Sequence, residues 1–460
     1  MPPALLGTNY DDRVVGKLPP VRVVNRYVES AQTNQVNGLA LLPRPGKALL
    51  RQDGVLALRG TFREPGLFGG DLFTVGGSTL YREGVAVGSS IFGSDLIRWA
   101  GTDVVAGLWF CAGGNLYLYD GSTTTEISVP DVQEVYDVAE INGYILIQVA
   151  NTGRRYFVRP GEITIDALDF FTSESSPDQA VATVTTSSEA WLFDQKSCEV
   201  WVPTGQSDSP FQRYEGRVFS VGATSRDSVI KGDNTIWFVG EDNEQGRFVY
   251  RATDGVPQIV STNTINEKLR NSSANIYSIF FALDGHSFYI WTGDSGSFGT
   301  DVSTGYMWSE WKAYGRNNFG ISCCASAPGF KVILGDNVNG NLYTLDPKRG
   351  NDNGDEIVRI VGGGLPTFVR QSIDVLRLQC NTGSASPPDY RPVIRARFSR
   401  DGGRTWGDER QASLGSEGEY GRRVSWRALG QFKAPGFLFE LIDSDDVQTT
   451  LQYAAVNEPW

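Results

Sequence analysis

Leu108 to Tyr119 reads LWFCAGGNLYLY: an aromatic run, a Gly-Gly-Asn turn, and a second aromatic run going back. Short apolar runs around such a turn are the signature of a β-hairpin. The same grammar recurs at Leu72–Tyr81 (LFTVGGSTLY), Tyr144–Val158, Ala190–Val202, Thr235–Tyr250, Ser287–Trp308 and Phe330–Leu345. A recurrence every few tens of residues, with each hairpin too small to bury both faces alone, is the spacing of propeller blades. The expected fold is all-β: an irregular six- to seven-bladed β-propeller with an additional C-terminal β-sandwich-like domain.

Composition agrees. Aromatics at 12%, 53 glycines and 21 prolines over 460 residues favour short strands and tight turns over long helices. One short helical stretch is expected, around Asn266–Asn271. No run of about 18 apolar residues occurs, and the opening MPPALLGTNYDDR lacks the basic and apolar regions of a signal peptide, so a soluble protein made in a cytoplasm, with no membrane anchor, is expected.

Organisation changes twice along the chain. Residues 1–47, with Pro2, Pro3, Pro19, Pro20, Pro43 and Pro45, read as an extended N-terminal arm that docks on another surface. The hairpin series makes residues 48–350 the propeller. After the polar loop KRGNDNGDE (Lys348–Glu356) the runs lengthen and alternate with Arg or Asp, as in RPVIRARFS and RRVSWRALG, so residues 351–460 read as a C-terminal β domain.

Catalytic equipment is sparse. The single histidine, His286, sits in the turn-like LDGHSFYI, and no GxSxG setting accompanies it. The five cysteines, Cys111, Cys198, Cys323, Cys324 and Cys380, are scattered without metal-ligand spacing and read as buried reduced thiols. DNVNGN (Asp336–Asn341) and NDNGDE (Asn351–Glu356) look oxygen-rich, but neither completes a calcium loop, and turn chemistry accounts for both. VGGGL (Val361–Leu365) lacks the Lys-Ser/Thr of a phosphate loop and reads as a glycine-rich strand end. No catalytic residue, cofactor or metal is expected. A net charge of −12 argues against a surface that grips nucleic acid throughout, and fits equally a surface that DNA passes without sticking and ordinary solubility.

The sharpest local motif is SRDGGRTW. It fits the Asp-box pattern through Ser399, Asp401, Gly403, Thr405 and Trp406, in which the carboxylate bonds turn amides and the Trp packs against the turn. Sialidases share this motif, so a propeller glycosidase is one alternative. Against it, the motif occurs once and lies outside the hairpin series. A propeller that binds glycans without cleaving them, through aromatics of Trp291–Met307, is another alternative. The C-terminal domain also concentrates arginine, at Arg391, Arg395, Arg397, Arg400, Arg404, Arg410, Arg422, Arg423 and Arg427. These read either as solvated strand faces or as a docking surface for an acidic partner through bidentate pairing, with Arg395, Arg397, Arg422, Arg423 and Arg427 the candidates.

Several strings, taken in order, resemble the packaged-DNA stabilisation proteins of short-tailed bacteriophages, the tail hub or nozzle family. They are NGLALLPRPGKALL, GVLALRG and GGSTLYREG near the start, DFFTSESSPD (169–178) and SCEVWVPTG (197–205) in the middle, then DNTIWFVGEDNEQGRFVYRATDGVPQIVST (233–262), GDNVNGNLYTLDP, NGDEIVR, and finally the Asp-box hairpin, RRVSWRALG and FLFELIDS. The resemblance implies a virion structural protein, not an enzyme. It would be a homohexameric ring beneath the portal and its adaptor (head-to-tail connector) ring, continuing the channel for double-stranded DNA without sequence-specific binding. Such a ring retains the packaged genome and takes part in its ejection, with tail fibres or tailspikes and a needle or plug attached nearby. Its place would be the virion tail, after synthesis and assembly in the host bacterial cytoplasm.

Overall fold

The computed structural model describes residues 5–13, 21–30, 38–104, 107–132, 134–173, 178–242, 244, 246–329, 331–366, 369–384, 389–433 and 436–458. Parts of the N-terminal arm (14–20 and 31–37), of the DFFTSESSPD string (174–177) and of the long loop Thr382–Asp389 (385–388) lie outside the described residues. The chain forms two compact units. One comprises Leu49–Ser295 with Gly320–Thr344, the other Met1–Ala48, Gly296–Phe319 and Leu345–Trp460.

The first unit is the propeller. Its first four sheets follow the chain, four antiparallel strands each: Leu58–Phe62 to Val85–Gly88, Arg98–Thr102 to Thr124–Ile127, Val135–Ile141 to Phe170–Thr172, and Ala180–Thr185 to Phe211–Phe219. In the fifth, Val221–Ala223 and Ile230–Gly232 both pair with Thr235–Asp242. The sixth places Tyr277–Leu283 and His286–Gly293 in this unit. The seventh runs from Ile321–Ala327 through Lys331–Asp336 and Asn341–Asp346 to Gly46–Gln52, a strand from near the chain's start, of which Leu49 onward lies in this unit.

The hairpins form where the turn chemistry places them. Gly113-Gly114, Asn142-Gly143, Asp254-Gly255 and Asp284-Gly285 each carry two consecutive positive φ angles. That is the type I′ geometry whose twist matches antiparallel strands. Sheets bury their aromatics against the next: Phe73, Val75 and Leu80 of the first pack with Leu108, Phe110 and Tyr117 of the second. Trp191 and Phe193 of the fourth pack with Ile236 and Phe238 of the fifth. Each such side chain contributes about 1.5–3 kcal/mol by leaving water. Near the axis the strands converge so closely that a Cβ at Gly232 would stand 2.3 Å from the Phe280 ring. The one α-helix among the described residues, Asn263–Arg270, spans eight residues and starts slightly before the expected stretch.

The second unit is a β-sandwich. One sheet runs in the order Arg26–Ser30, Leu39–Pro43, Leu451–Val456, Gln371–Cys380, Val424–Phe432. The other runs Gly296–Asp301, Met307–Trp311, Val23–Val24, Arg359–Pro366, Gly436–Asp443, Val393–Ser399, Arg410–Ser413. Val28, Leu41, Leu376, Trp426 and Phe432 of the first sheet meet Val361, Phe437, Phe439, Leu441 and Ile394 of the second in one core. The N-terminal stretch thus supplies four strands to the sandwich, Leu5–Leu6 pairing with Arg359–Pro366 beside Val23–Val24, Arg26–Ser30 and Leu39–Pro43. The glycines of Val361–Leu365 lie inside a strand paired on both edges, where a Cβ at Gly364 would stand 2.7 Å from Leu438.

Charges sealed in this unit join its three chain segments. Arg44 donates to both oxygens of Asp352 at 2.9 and 2.6 Å, and Lys47 lies 3.4 Å from the same carboxylate. Asn25, in left-handed conformation, accepts from Arg44 Nε and the Lys312 amide, and donates to the carbonyls of Lys312 and Val358. Arg26 and Arg359 each take one oxygen of Asp443.

Candidate partner-docking site

The strand Val393–Ser399 alternates Ile394 and Ala396 into the core with Arg395 and Arg397 outward. Both outward arginines are engaged within the unit. Arg395 donates to Glu409 (3.1 Å) and to Ser444 (3.3 Å), and Arg397 pairs with the buried Glu440 through two nitrogens. Arg422 stands 3.5 Å from Glu419, while Arg423 and Arg427 are exposed on the way into and along Val424–Phe432. The five predicted arginines are therefore spread over two sheets.

The Asp-box closes the loop from Val393–Ser399 to its hairpin partner Arg410–Ser413. Asp401 Oδ1 accepts from the Ser399 hydroxyl (2.9 Å) and from the amides of Arg404 (3.0 Å) and Thr405 (2.9 Å), and Oδ2 accepts from the Thr405 hydroxyl at 2.6 Å. The Gly403 amide donates to Ser399 Oγ at 2.8 Å. These donors, the Thr405 hydroxyl foremost, lower the Asp401 pKa to about 2. A carboxylate so occupied is a turn staple. Trp406 lies against the Arg397 guanidinium, 5.0 Å from ring centre to Cζ, so turn and strand brace each other. His286 stacks on Phe288 at 5.8 Å. Asp336 accepts the amides of Val338 and Asn339 in a turn, and Asn353-Gly354 turns the Asn351–Glu356 hairpin. Among the described residues no group of three or more His, Cys, Asp or Glu could hold a metal ion, and no helix is long and apolar enough to cross a membrane.

The propeller axis is the other place where a passage or site could form. Segments leading into the first strands line a cavity of about 670 Å³, and the first strands themselves line cavities of about 520 and 240 Å³. Arg226, in a short turn of the fifth sheet, donates across the axis to the carbonyls of Leu96 (2.7 Å) and Tyr136 (2.8 Å), which precede and begin the first strands of the second and third sheets. Arg98 bridges Asp137 (2.9 Å) and the Val229 carbonyl (3.1 Å). A duplex, whose major groove alone is about 12 Å wide, has no passage along this axis.

Sequence reasoning missed this axial bracing and the buried ion pairs around Asp352 and Asp443. Their partners lie far apart in sequence, and a buried arginine has no local signature. Arg400 and Arg410, also part of the C-terminal arginine concentration, are held against the backbone of Arg427–Leu429.

Comparison with known proteins adds a lineage. A family described as "Bacteriophage P22 Gp10, beta-propeller" matches residues 24–349, and one described as "Bacteriophage P22 Gp10, beta-sandwich" matches residues 369–457. None of the curated proteins matches the chain in sequence. Among solved structures, the extracellular domain of the putative hybrid two-component system BT3049 from B. thetaiotaomicron is 12% identical with a TM-score of 0.46. That match covers 90% of this chain, which spans 57% of that protein's length. A streptogramin B lyase is 8% identical with a TM-score of 0.41, over 70% of this chain and 98% of its own. The WD40 β-propeller domain of Doa1 is 9% identical with a TM-score of 0.37, over 66% of this chain and 96% of its own.

Proposed function

Since the chain belongs to the bacteriophage P22 Gp10 family, the packaged-DNA stabilisation proteins of phage tails, we propose that it builds the tail nozzle: a homohexameric ring that docks on the adaptor ring and continues the DNA channel. The ring retains the packaged genome and opens the route for ejection, without catalysing a reaction. Tail fibres or tailspikes and a needle or plug are its further partners in the virion tail, and the chain is made and assembled in the host cytoplasm. The observation that carries this reading is the match of both propeller and sandwich to one phage family, in chain order.

The axial geometry supports a particular construction. With Arg226 and Arg98 bridging the propeller's centre, a duplex runs between copies of the chain and not through any one of them. A ring around such a channel requires a heterologous contact, one face of each copy against a different face of the next. Of the two Asp-box residues that motivated the glycosidase reading, Asp401 and Trp406, the carboxylate is spent on its own turn and the ring lies against Arg397. Imaging of the virion tail, and of the purified chain mixed with adaptor, tests the proposal. A six-fold ring around an open channel is expected; copies placed away from the tail axis would sink it.

A further inference from the structure

The two units differ in charge. The propeller unit has 18 Lys and Arg against 32 Asp and Glu, a net of −14, while the sandwich unit has 23 against 21, a net of +2; together they make the −12 of the chain. Exposed positive charge in the sandwich gathers where the edge strand Arg410–Ser413 of one sheet meets the edge strand Val424–Phe432 of the other. Trp426 Nε1 donates to the Arg410 carbonyl at 2.7 Å, and Arg410 Nη2 donates to the Arg427 carbonyl at 2.6 Å. Arg400 Nη2 donates to the Leu429 carbonyl at 3.0 Å and lies over the Phe432 ring. Arg400, Arg404, Arg410 and Arg427 are all exposed, and none forms an ion pair among the described residues. The intervening loop holds Asp401, Asp408 and Glu409, of which Asp401 is tied into its own turn and Glu409 pairs with Arg395, so the four arginines leave this seam positive.

Resting on the ring reading above, we propose that the arginine seam is the surface by which one copy of the chain docks onto the acidic propeller unit of the next. Guanidinium groups already held against a backbone lose little freedom when they take a carboxylate fork. Strand addition is disfavoured here because Ala428 (φ 56°) and Gly430 (φ 88°) break the ladder of the edge strand. Charge is therefore the means of contact. The acidic complement is encoded in the same chain and arrives with every copy, which favours a second copy over the phosphates of a duplex as the occupant.

The test is self-association of the full chain, followed by sedimentation and native mass spectrometry between about 0.05 and 0.5 M salt, a range across which screening tightens markedly. Arg404→Glu/Arg427→Glu is the first variant, because neither side chain braces the fold. Arg400→Glu/Arg410→Glu is the second, with thermal unfolding of each recorded. The expected result is salt-sensitive association of the wild type and a loss of about tenfold or more in the first variant, at an unchanged unfolding midpoint. Undiminished association of the folded variant, or a wild type that stays monomeric throughout, overturns the proposal. So does a variant that loses binding to a DNA duplex yet still associates. If variant virions still show the six-fold ring, only the seam is wrong; if wild-type virions show none, the ring reading itself fails.

Discussion

Arg226 reaches the carbonyl of Leu96 across the propeller axis, 130 residues away in sequence, at 2.7 Å. Its other terminal nitrogen takes the Tyr136 carbonyl, and its Nε takes Asp227, so one side chain ties three sheets. Replacing it with alanine removes charged hydrogen bonds worth about 1.5–3 kcal/mol each. Partly exposed Asp95 and Asp227 can recover water, which limits the cost. Arg226→Ala is expected to lose about 3 kcal/mol in chemical denaturation. If the duplex runs between copies as proposed, virions carrying it should eject DNA at the wild-type rate.

Asp352 makes the sandwich unit acid-sensitive. Burial pushes its pKa up, but Arg44 and then Lys47 pull it further the other way, and the net direction is down from the ordinary carboxyl value. A carboxyl lowered on folding adds stability that is complete above its unfolded pKa of about 3.9 and is lost as pH falls through the folded value. Asp352→Asn should therefore destabilise the chain by about 3 kcal/mol at neutral pH, leaving two buried cations without their counter-charge. Its loss of stability below pH 4 should be shallower than the wild type's. Urea titrations from pH 3 to 7 measure both.

The C-terminal arginines separate into two classes with opposite expectations. Arg397 serves a buried carboxylate and a Trp ring, so Arg397→Ala is expected to cost about 3 kcal/mol and to alter Trp406 fluorescence. Arg427 is exposed, and its side chain has no ion pair among the described residues, so Arg427→Ala should stay within about 0.5 kcal/mol of wild type. Equal losses in thermal unfolding would contradict this division.

The hairpins were legible because their turns are local chemistry. The expected runs at Leu72–Tyr81 and Leu108–Tyr119 coincide with the middle strand pairs of the first two sheets. Tyr277–Leu283 with His286–Gly293 was missed as a hairpin, although Asp284-Gly285 is a plain turn signal. Other features depend on partners far along the chain. Nothing in Gly296–Phe319 distinguishes it from the hairpins before it, yet it joins the sandwich unit, where Lys312 meets Asn25. The proline-rich start read as an arm because Val23–Ser30 and Leu39–Pro43 find their sheet only with strands such as Leu451–Val456. Of the candidate site, the Asp-box was readable as a turn. The distinction between engaged and open arginines was not, since it depends on Glu440 and Glu409 being within reach.

The Asp-box provides the last prediction and a direct trial of the enzymatic alternative. Asp401 stays ionised down to about pH 2 because the Thr405 hydroxyl and turn amides favour its charged form. A proton donor or shared-proton acid needs the opposite shift, towards the working pH. Asp401→Ala is therefore expected to free the Arg404 and Thr405 amides, seen as faster hydrogen exchange confined to this loop, and to loosen the packing of Trp406 on Arg397. It should leave the propeller's melting behaviour alone. Neither wild type nor variant should release sugar from sialosides or cell-surface polysaccharide. Hydrolysis by the wild type that vanished in Asp401→Ala would reverse the assignment of this carboxylate as a turn staple.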